Sequence, residues 1–298
     1  MAITKPIKNY ITALKKEFDV LRKDKESLLD LIDEADIPES VYNSNAIENS
    51  TLTLKETEKI LLEMEVSRDV SLREVYEAKN LARVIGYIRN KSREAEINKE
   101  LILFVHQMLV GGIDDNISGR FRKTGEYVRV GTYVAPAPEN IERMIDAIIT
   151  EYTGELADYF LDKIAKFHLD FETIHPFNDG NGRIGRALIC FQLQRIGFPM
   201  IIIRDKEKKE YYKSFEDYRS DKITKTMEKV VSLALTESLH KRIAYLKRQN
   251  IITLSDYTKS HNLSAPAMIN AARRQNIPAF REKGVWKIGE GFEHKGKK

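Results

Sequence analysis

The chain has 298 residues, of which 42% are hydrophobic and 32% charged, with 15 Gly, 8 Pro and a formal net charge of +4. This length suffices for one large core or two to three smaller domains, and the composition excludes a fibrous or largely disordered chain. No secretory pattern opens the sequence, and the most apolar stretch, "ALICFQLQRIGFPMIII", is broken by Gln192, Gln194, Arg195, Gly197 and Pro199, so a cytoplasmic protein without a membrane span is expected.

From the N-terminus onward, apolar residues recur at intervals of three and four. This predicts helix from Ile11 to Ile32, through "SLREVYEAKNLARVIGYIRN" and through "NKELILFVHQML". The expected organisation is a helical N-terminal region over residues 1–97, a helical core over 98–245 and a small terminal domain over 246–298. On a helix, Ser44 and Glu48 of "SNAIEN" would share a face. The helical pattern breaks at "GEYVRVGTYVAPAPEN", where Tyr127 and Arg129 alternate with Val128 and Val130 around Gly131-Thr132. That alternation predicts a β-hairpin.

The densest chemistry follows in "HPFNDGNGRIGR", His175 to Arg186. Gly180, Gly182 and Gly185 carry the G-x-G-x-x-G spacing of a dinucleotide-binding turn, and "MIIIRD", ending at Asp205, imitates the strand and acid that would follow it. Such a turn needs a strand before its first glycine, however. Here Ile164, Phe167, Phe171 and Ile174 fall three and four apart, and no P-loop lysine follows, so the dinucleotide-binding enzyme is the weaker reading.

The same residues read more naturally as helix, tight loop and second helix. Pro176 ends the first helix near His175. Asp179-Gly180-Asn181-Gly182 turns the chain and exposes N–H groups that can cradle an anion, and Ile184, Ala187, Leu188 and Phe191 mark the buried face of the second helix. A phosphate then has a place at that helix N-terminus. Arg183 and Arg186 are neighbours on one face and can fork onto it, Asp179 is a hard ligand suited to Mg²⁺, and His175 can take a proton at neutral pH. Singly, each residue is ordinarily a cap, a turn or a solvated arginine. Among the other residues of interest, Cys190 reads as a small buried side chain and His168 as a satisfied helical histidine, with His106, His240, His261 and His294 equally ordinary.

"HPFNDGNGRIGR" also matches, at every fixed position, the motif H-P-F-x-[DE]-G-N-G-R-x-x-R of the Fic family, which it resembles. "VRVGTYVAPAPEN" is similar to that family's flap, and "EYYKSFEDY" to the segment that closes over adenine. The resemblance implies a mainly α fold, a Fic-type helical core with a β-hairpin flap, and a protein adenylyltransferase that uses ATP with Mg²⁺. His175 would deprotonate a target hydroxyl, which attacks the α-phosphate of ATP. Asp179 would hold Mg²⁺; Gly180, Asn181, Gly182 and Arg183 would seat the phosphates; Arg186 would bind the γ-phosphate. Val128 and Gly131 of the flap, with Tyr211 or Tyr212, would line the nucleotide, and the flap would register the target chain by strand addition. "SNAIEN" fits the family's inhibitory pattern [ST]-x-x-x-E-[GN], which implies that Ser44 and Glu48 restrain Arg186. In relatives a glutamate at this place also positions water for removal of AMP. A target protein, and the chain itself by self-modification, would receive AMP.

From His240 onward there are 13 Lys and Arg against 4 Asp and Glu, leaving 36 against 41 in the rest. Residues 246–292 resemble a winged helix: "TLSDYTKSHN", a turn at Leu263-Ser264, a helix through "APAMINAARRQN", and a hairpin through "IPAFREKGVWKIGE" carrying Trp286. Its charge suits contact with DNA, and dimerisation or target docking suits it equally. The competing class is a nucleic-acid-binding regulator with a nucleotide-sensing helical body.

Overall fold

A computed structural model describes residues 3–66, 69–154 and 158–294. Residues 1–2, 67–68, 155–157 and 295–298, including the outer ends of the two expected terminal regions, lie outside the described residues. In chain order the elements are α1 (Lys5–Leu21), α2 (Glu26–Ile47), α3 (Leu54–Glu58), α4 (Leu72–Lys91), α5 (Lys99–Val110), β1 (Arg129–Val130), β2 (Tyr133–Val134), α6 (Ile141–Gly154), α7 (Phe160–Ile174), α8 (Asn181–Arg195), α9 (Lys208–Asp221) and α10 (Lys225–Leu246). Then come β3 (Ile251–Thr253), α11 (Leu254–Ser260), α12 (Ala265–Arg273), β4 (Phe280–Glu282) and β5 (Val285–Gly289). Among the described residues no helix is long and apolar enough to cross a membrane.

The fold is mainly α, as expected. Helix starts follow local capping chemistry: Ser71 accepts from Glu74 N–H ahead of α4, Asn98 accepts from Leu101 N–H ahead of α5, and Thr53 with Glu56 forms a reciprocal capping box at α3. The single helix expected from Ile11 to Ile32 is two helices. Asp24, in the left-handed region at φ 58, breaks it between α1 and α2, a conformation that Asp tolerates better than most residues.

Residues 37–231 make one compact unit. Its core joins Leu81, Val84 and Ile88 of α4, Ile102, Val105 and Leu109 of α5, Phe167 and Phe171 of α7, and Ile184, Leu188 and Phe191 of α8. These helices bury one face each and so hold the α7–α8 junction from several sides. The expected hairpin forms, with Arg129 opposite Val134 and Val130 opposite Tyr133. "MIIIRD" is not a strand: residues 200–204 are irregular and a short 3₁₀ turn follows at Asp205–Glu207. All strand pairs among the described residues are antiparallel, which removes the βαβ unit a dinucleotide fold needs.

Residues 4–36 and 232–298 make the second unit. Its three-stranded sheet has the order β3-β5-β4, with α11 and α12 between β3 and β4 in the chain. Leu254, Tyr257, Met268, Ala272, Ile277 and Ile288 form its core.

Candidate functional site

The loop between α7 and α8 owes its shape to two left-handed residues. His175 ends α7 at φ 50 and its N–H still reaches Phe171 carbonyl at 2.9 Å. Gly180 precedes α8 at φ 84, where a Cβ would also stand 2.9 Å from Leu109 Cδ2, so only glycine fits. Between them Asn181 staples the loop: its Oδ1 accepts from Phe177 N–H at 2.9 Å and its Nδ2 donates to Phe177 carbonyl at 2.8 Å. Asp179 Oδ1 accepts from Gly180 N–H at 2.6 Å.

Residues that local spacing does not reveal hold this loop from outside. Arg122 is buried, and its guanidinium donates to the carbonyls of His175, Glu126 and Pro136, each at 2.9 Å, while its N–H reaches Pro176 carbonyl. It therefore ties the base of the β1–β2 hairpin to the end of α7. His106 stacks on Phe177 with ring centroids 3.7 Å apart. Its Nδ1 accepts from Gly119 N–H, so the proton sits on Nε2 and is donated to Asp179 carbonyl at 3.1 Å. Burial lowers the His106 pKa to about 4, which keeps the ring neutral in this role.

The charged side chains form two groups. Asp179 pairs with Arg73 at 2.6 Å and Arg183 at 3.0 Å, and Glu77 joins both arginines. Arg186, 6% exposed, donates from Nε to Ser44 Oγ at 3.0 Å, from Nη2 to Ser44 carbonyl at 2.8 Å and from Nη1 to Tyr211 hydroxyl at 3.2 Å. Its Nη2 also meets Glu48 Oε1 at 2.8 Å. Burial opposes the Arg186 charge, but the Tyr211 hydroxyl and the Glu48 carboxylate outweigh it and raise the pKa further.

Glu48 lies just past the end of α2 rather than on the helix, and still shares Arg186 with Ser44. Asn49, left-handed at φ 67, makes the turn, which accounts for Gly or Asn at the last position of that pattern. Glu74 fixes the turn by accepting from Ser50 Oγ, Thr51 N–H and Thr51 Oγ1. A Cβ on Gly182 would overlap the Glu48 carboxylate.

Burial is the first cause that pulls the His175 pKa down to about 4, the main chain of Glu172 pulling the other way. This histidine is a neutral imidazole over the physiological range. Glu172 stands beside it, pushed up to about 8 by burial and then by Glu48. Tyr211 is fully buried with its hydroxyl 2.9 Å from His168 Nε2, so it backs Arg186 instead of facing open space. Tyr212 is 39% exposed and donates to Ile47 carbonyl. Val128 carbonyl accepts from Ala135 N–H, Gly131 forms the hairpin tip at φ 60, and Tyr133 hydroxyl donates to Thr173 carbonyl of α7. The structure thus brings His175, Asp179, Gly180, Asn181, Gly182, Arg183, Arg186, Ser44 and Glu48 together, with the hairpin fastened through Arg122 and Tyr133. Arg73, Glu77, Arg122, His106 and Glu172 are the additions.

Residues 96–193 match the family model described as Fic/DOC family. The "Protein adenylyltransferase Fic" of Nematostella vectensis is 32% identical over 176 residues, covering 58% of this chain and 41% of that protein. The "Protein adenylyltransferase fic-1" of Caenorhabditis elegans is 32% identical over 180 residues, covering 58% and 35%. The chain thus spans well under two thirds of these relatives' length. A Fic domain containing signaling protein from Bacteroides thetaiotaomicron superposes with a TM-score of 0.72 at 25% identity, over 80% of this chain and 97% of that one. A Fic family protein from Desulfovibrio desulfuricans, at 19% identity and a TM-score of 0.67, shares the fold over 99% of both chains.

Proposed function

We propose, from the match of residues 96–193 to the Fic/DOC family model and from the similar proteins above, that this chain is a Fic-type protein adenylyltransferase, moving AMP from ATP to a hydroxyl side chain of a target protein. The observation that carries the reading is a neutral, largely enclosed His175 at the head of the loop that leads into α8, whose first two turns carry Arg183 and Arg186. His175 removes the proton of the target hydroxyl, the hydroxyl oxygen bonds to the α-phosphorus, and the bond to the β-phosphate breaks to release pyrophosphate. The free N–H groups at the start of α8, with Asn181, Gly182 and Arg183, seat the phosphates, and Gly180 gives the loop its cradle. Arg186 receives the γ-phosphate once Glu48 withdraws.

Asp179 would hold Mg²⁺, exchanging its two arginines for the cation. A single carboxylate suits Mg²⁺, which takes its remaining ligands from substrate phosphates and water, and when bound the ion supplies charge neutralisation along the phosphate chain. Val128 and Gly131 of the hairpin, with Tyr212 as the exposed member of its pair and Tyr211 behind it, line the nucleotide, while the hairpin edge takes the target chain as an added strand. The same chain is a target for self-modification.

The test supplies Glu48→Gly protein in a cell lysate with ATP labelled at the α- or the γ-phosphate. Label on protein from α-ATP alone is expected; label from γ-ATP alone would mean a kinase. A second reading, DNA contact by the terminal module, is favoured by the winged-helix resemblance of residues 246–292, with Arg273 and Arg274 exposed on α12 and Lys283 exposed at the β4–β5 tip. Retardation of a DNA duplex by the full chain, weakening steeply with salt, is the expected result; no retardation at low salt removes this reading.

A further inference from the structure

On the adenylyl-transfer reading, His175 becomes a buried cation as it takes the hydroxyl proton, and a buried cation needs an opposite charge close by. The acids given a role so far are engaged elsewhere, Glu48 on Arg186 and Asp179 on Arg73 and Arg183. Glu172 is the acid that remains. It lies one turn before His175 on α7, so the two share a face, and its Oε2 is 3.9 Å from His175 Nδ1.

Both groups are enclosed: Glu172 Oε1 and His175 Nδ1 are shut away from solvent, which leaves Nε2 as the nitrogen open to substrate. The room for Glu172 is made by Gly185 of α8. A Cβ there would stand 2.5 Å from Glu172 Oε1 and 2.7 Å from His168 Cε1, so α8 passes over this carboxyl only without a side chain. The glycine that completed the dinucleotide-like spacing is explained by the acid it covers. The charged and titratable groups facing Glu172 are Glu48, Arg186 and Arg219, with His168 and His175 on its own helix and Tyr211 and Tyr212 from α9.

We infer that Glu172 is the positioning residue of His175, its carboxylate facing Nδ1 and balancing the imidazolium formed when Nε2 receives the hydroxyl proton. The inference rests on the adenylyl-transfer reading for the proton it handles. The proton ends on Nε2, the hydroxyl oxygen on the α-phosphorus and the electron pair of the broken P–O bond on pyrophosphate; Glu172 itself makes and breaks no bond. It also couples the base to the brake. With Glu48 against Arg186, burial and the Glu48 charge keep Glu172 protonated up to about pH 8. When Glu48 withdraws, that repulsion goes and the carboxyl ionises at lower pH, so the charge that His175 needs appears as Arg186 is freed.

The test uses the full Glu48→Gly chain with and without Glu172→Gln, a change of similar shape that removes only the ionisable group. For AMP transfer, kcat should fall about tenfold while KM for Mg·ATP stays within about twofold. Glu172→Asp should recover part of the loss. The imidazole ¹⁵N resonances of His175 should show a step near pH 8 in the unsubstituted chain, a step at lower pH in Glu48→Gly, and none with Glu172→Gln in either background. That titration does not depend on transfer, so a chain inactive in every form sinks the adenylyl reading while the step is still read. Unchanged kcat in Glu172→Gln, or a His175 step that survives the substitution, overturns the inference. If Glu172→Gln does not fold, the unsubstituted chain decides: a His175 that shows no step overturns it as well.

Discussion

Almost every residue of the α7–α8 loop is held, with Asn181 stapling Phe177, Arg122 gripping the carbonyl of His175, His106 under Asp179, and Arg73 and Arg183 on its carboxylate. The β1–β2 hairpin beside it has two residues per strand, paired as Arg129 with Val134 and Val130 with Tyr133, and leaves Tyr127 and Val134 63% and 59% exposed. Its fastenings are at its base and side, through Arg122 and Tyr133. The difference follows the work each segment does. Phosphate chemistry gains from donors fixed in advance, because their ordering cost is met on folding. A hairpin that accepts a foreign strand gains from open main-chain groups on its edge.

Substitutions in the loop should therefore cost more than any in the hairpin, and His175→Ala should cost most. It should lower AMP transfer at least about a hundredfold, the worth of a placed general base, with Mg·ATP binding nearly intact by calorimetry. Transfer at the parent rate would remove His175 from the chemistry. Next is Asn181→Ala, which unties two buried main-chain groups; urea unfolding should show a loss of about 1–3 kcal/mol, and a neutral result would mean that the staple holds nothing. Acid should loosen the loop as well. His106 and His175, at about 4 in the folded chain against an ordinary 6.5, lend stability that is whole above pH 6.5 and is lost as pH falls from there through 4. The urea midpoint should fall across that window, and less so in His106→Gln. The smallest effect belongs to the hairpin: Tyr133→Phe removes one hydrogen bond to α7, should change stability by about 1 kcal/mol or less, and should act on KM for the protein target more than on KM for ATP.

Where structure was dictated locally, the sequence could be read. The three-and-four spacing of Ile164, Phe167, Phe171 and Ile174 marks α7, Pro176 its end, and the alternation around Gly131 the hairpin. Asp24 hid the break between α1 and α2 because a single left-handed residue leaves the apolar spacing on both sides intact. The partners of the loop stayed hidden because they are far away in sequence: Arg73 meets Asp179 across 106 positions and Arg122 meets His175 across 53. Charge counting could not show pairing for the same reason. Within their own unit Lys241 and Arg242 pair with Asp36 and Asp33, and Arg281 pairs with Glu237. Arg273 and Arg274 are left as the exposed pair on α12.

The contact between Glu48 and Arg186 decides whether the well-held loop works or waits, and a double-mutant cycle of Glu48→Gly and Arg186→Ala, read as AMP incorporation into protein, tests it most directly. Glu48→Gly alone should speed transfer about tenfold to a hundredfold, the range expected for releasing one charge-assisted contact. In the Arg186→Ala background the same substitution should bring no gain, because an arginine that is absent cannot be released. Acceleration by Glu48→Gly that persists without Arg186 would contradict the restraint and send Glu48 to some other contact.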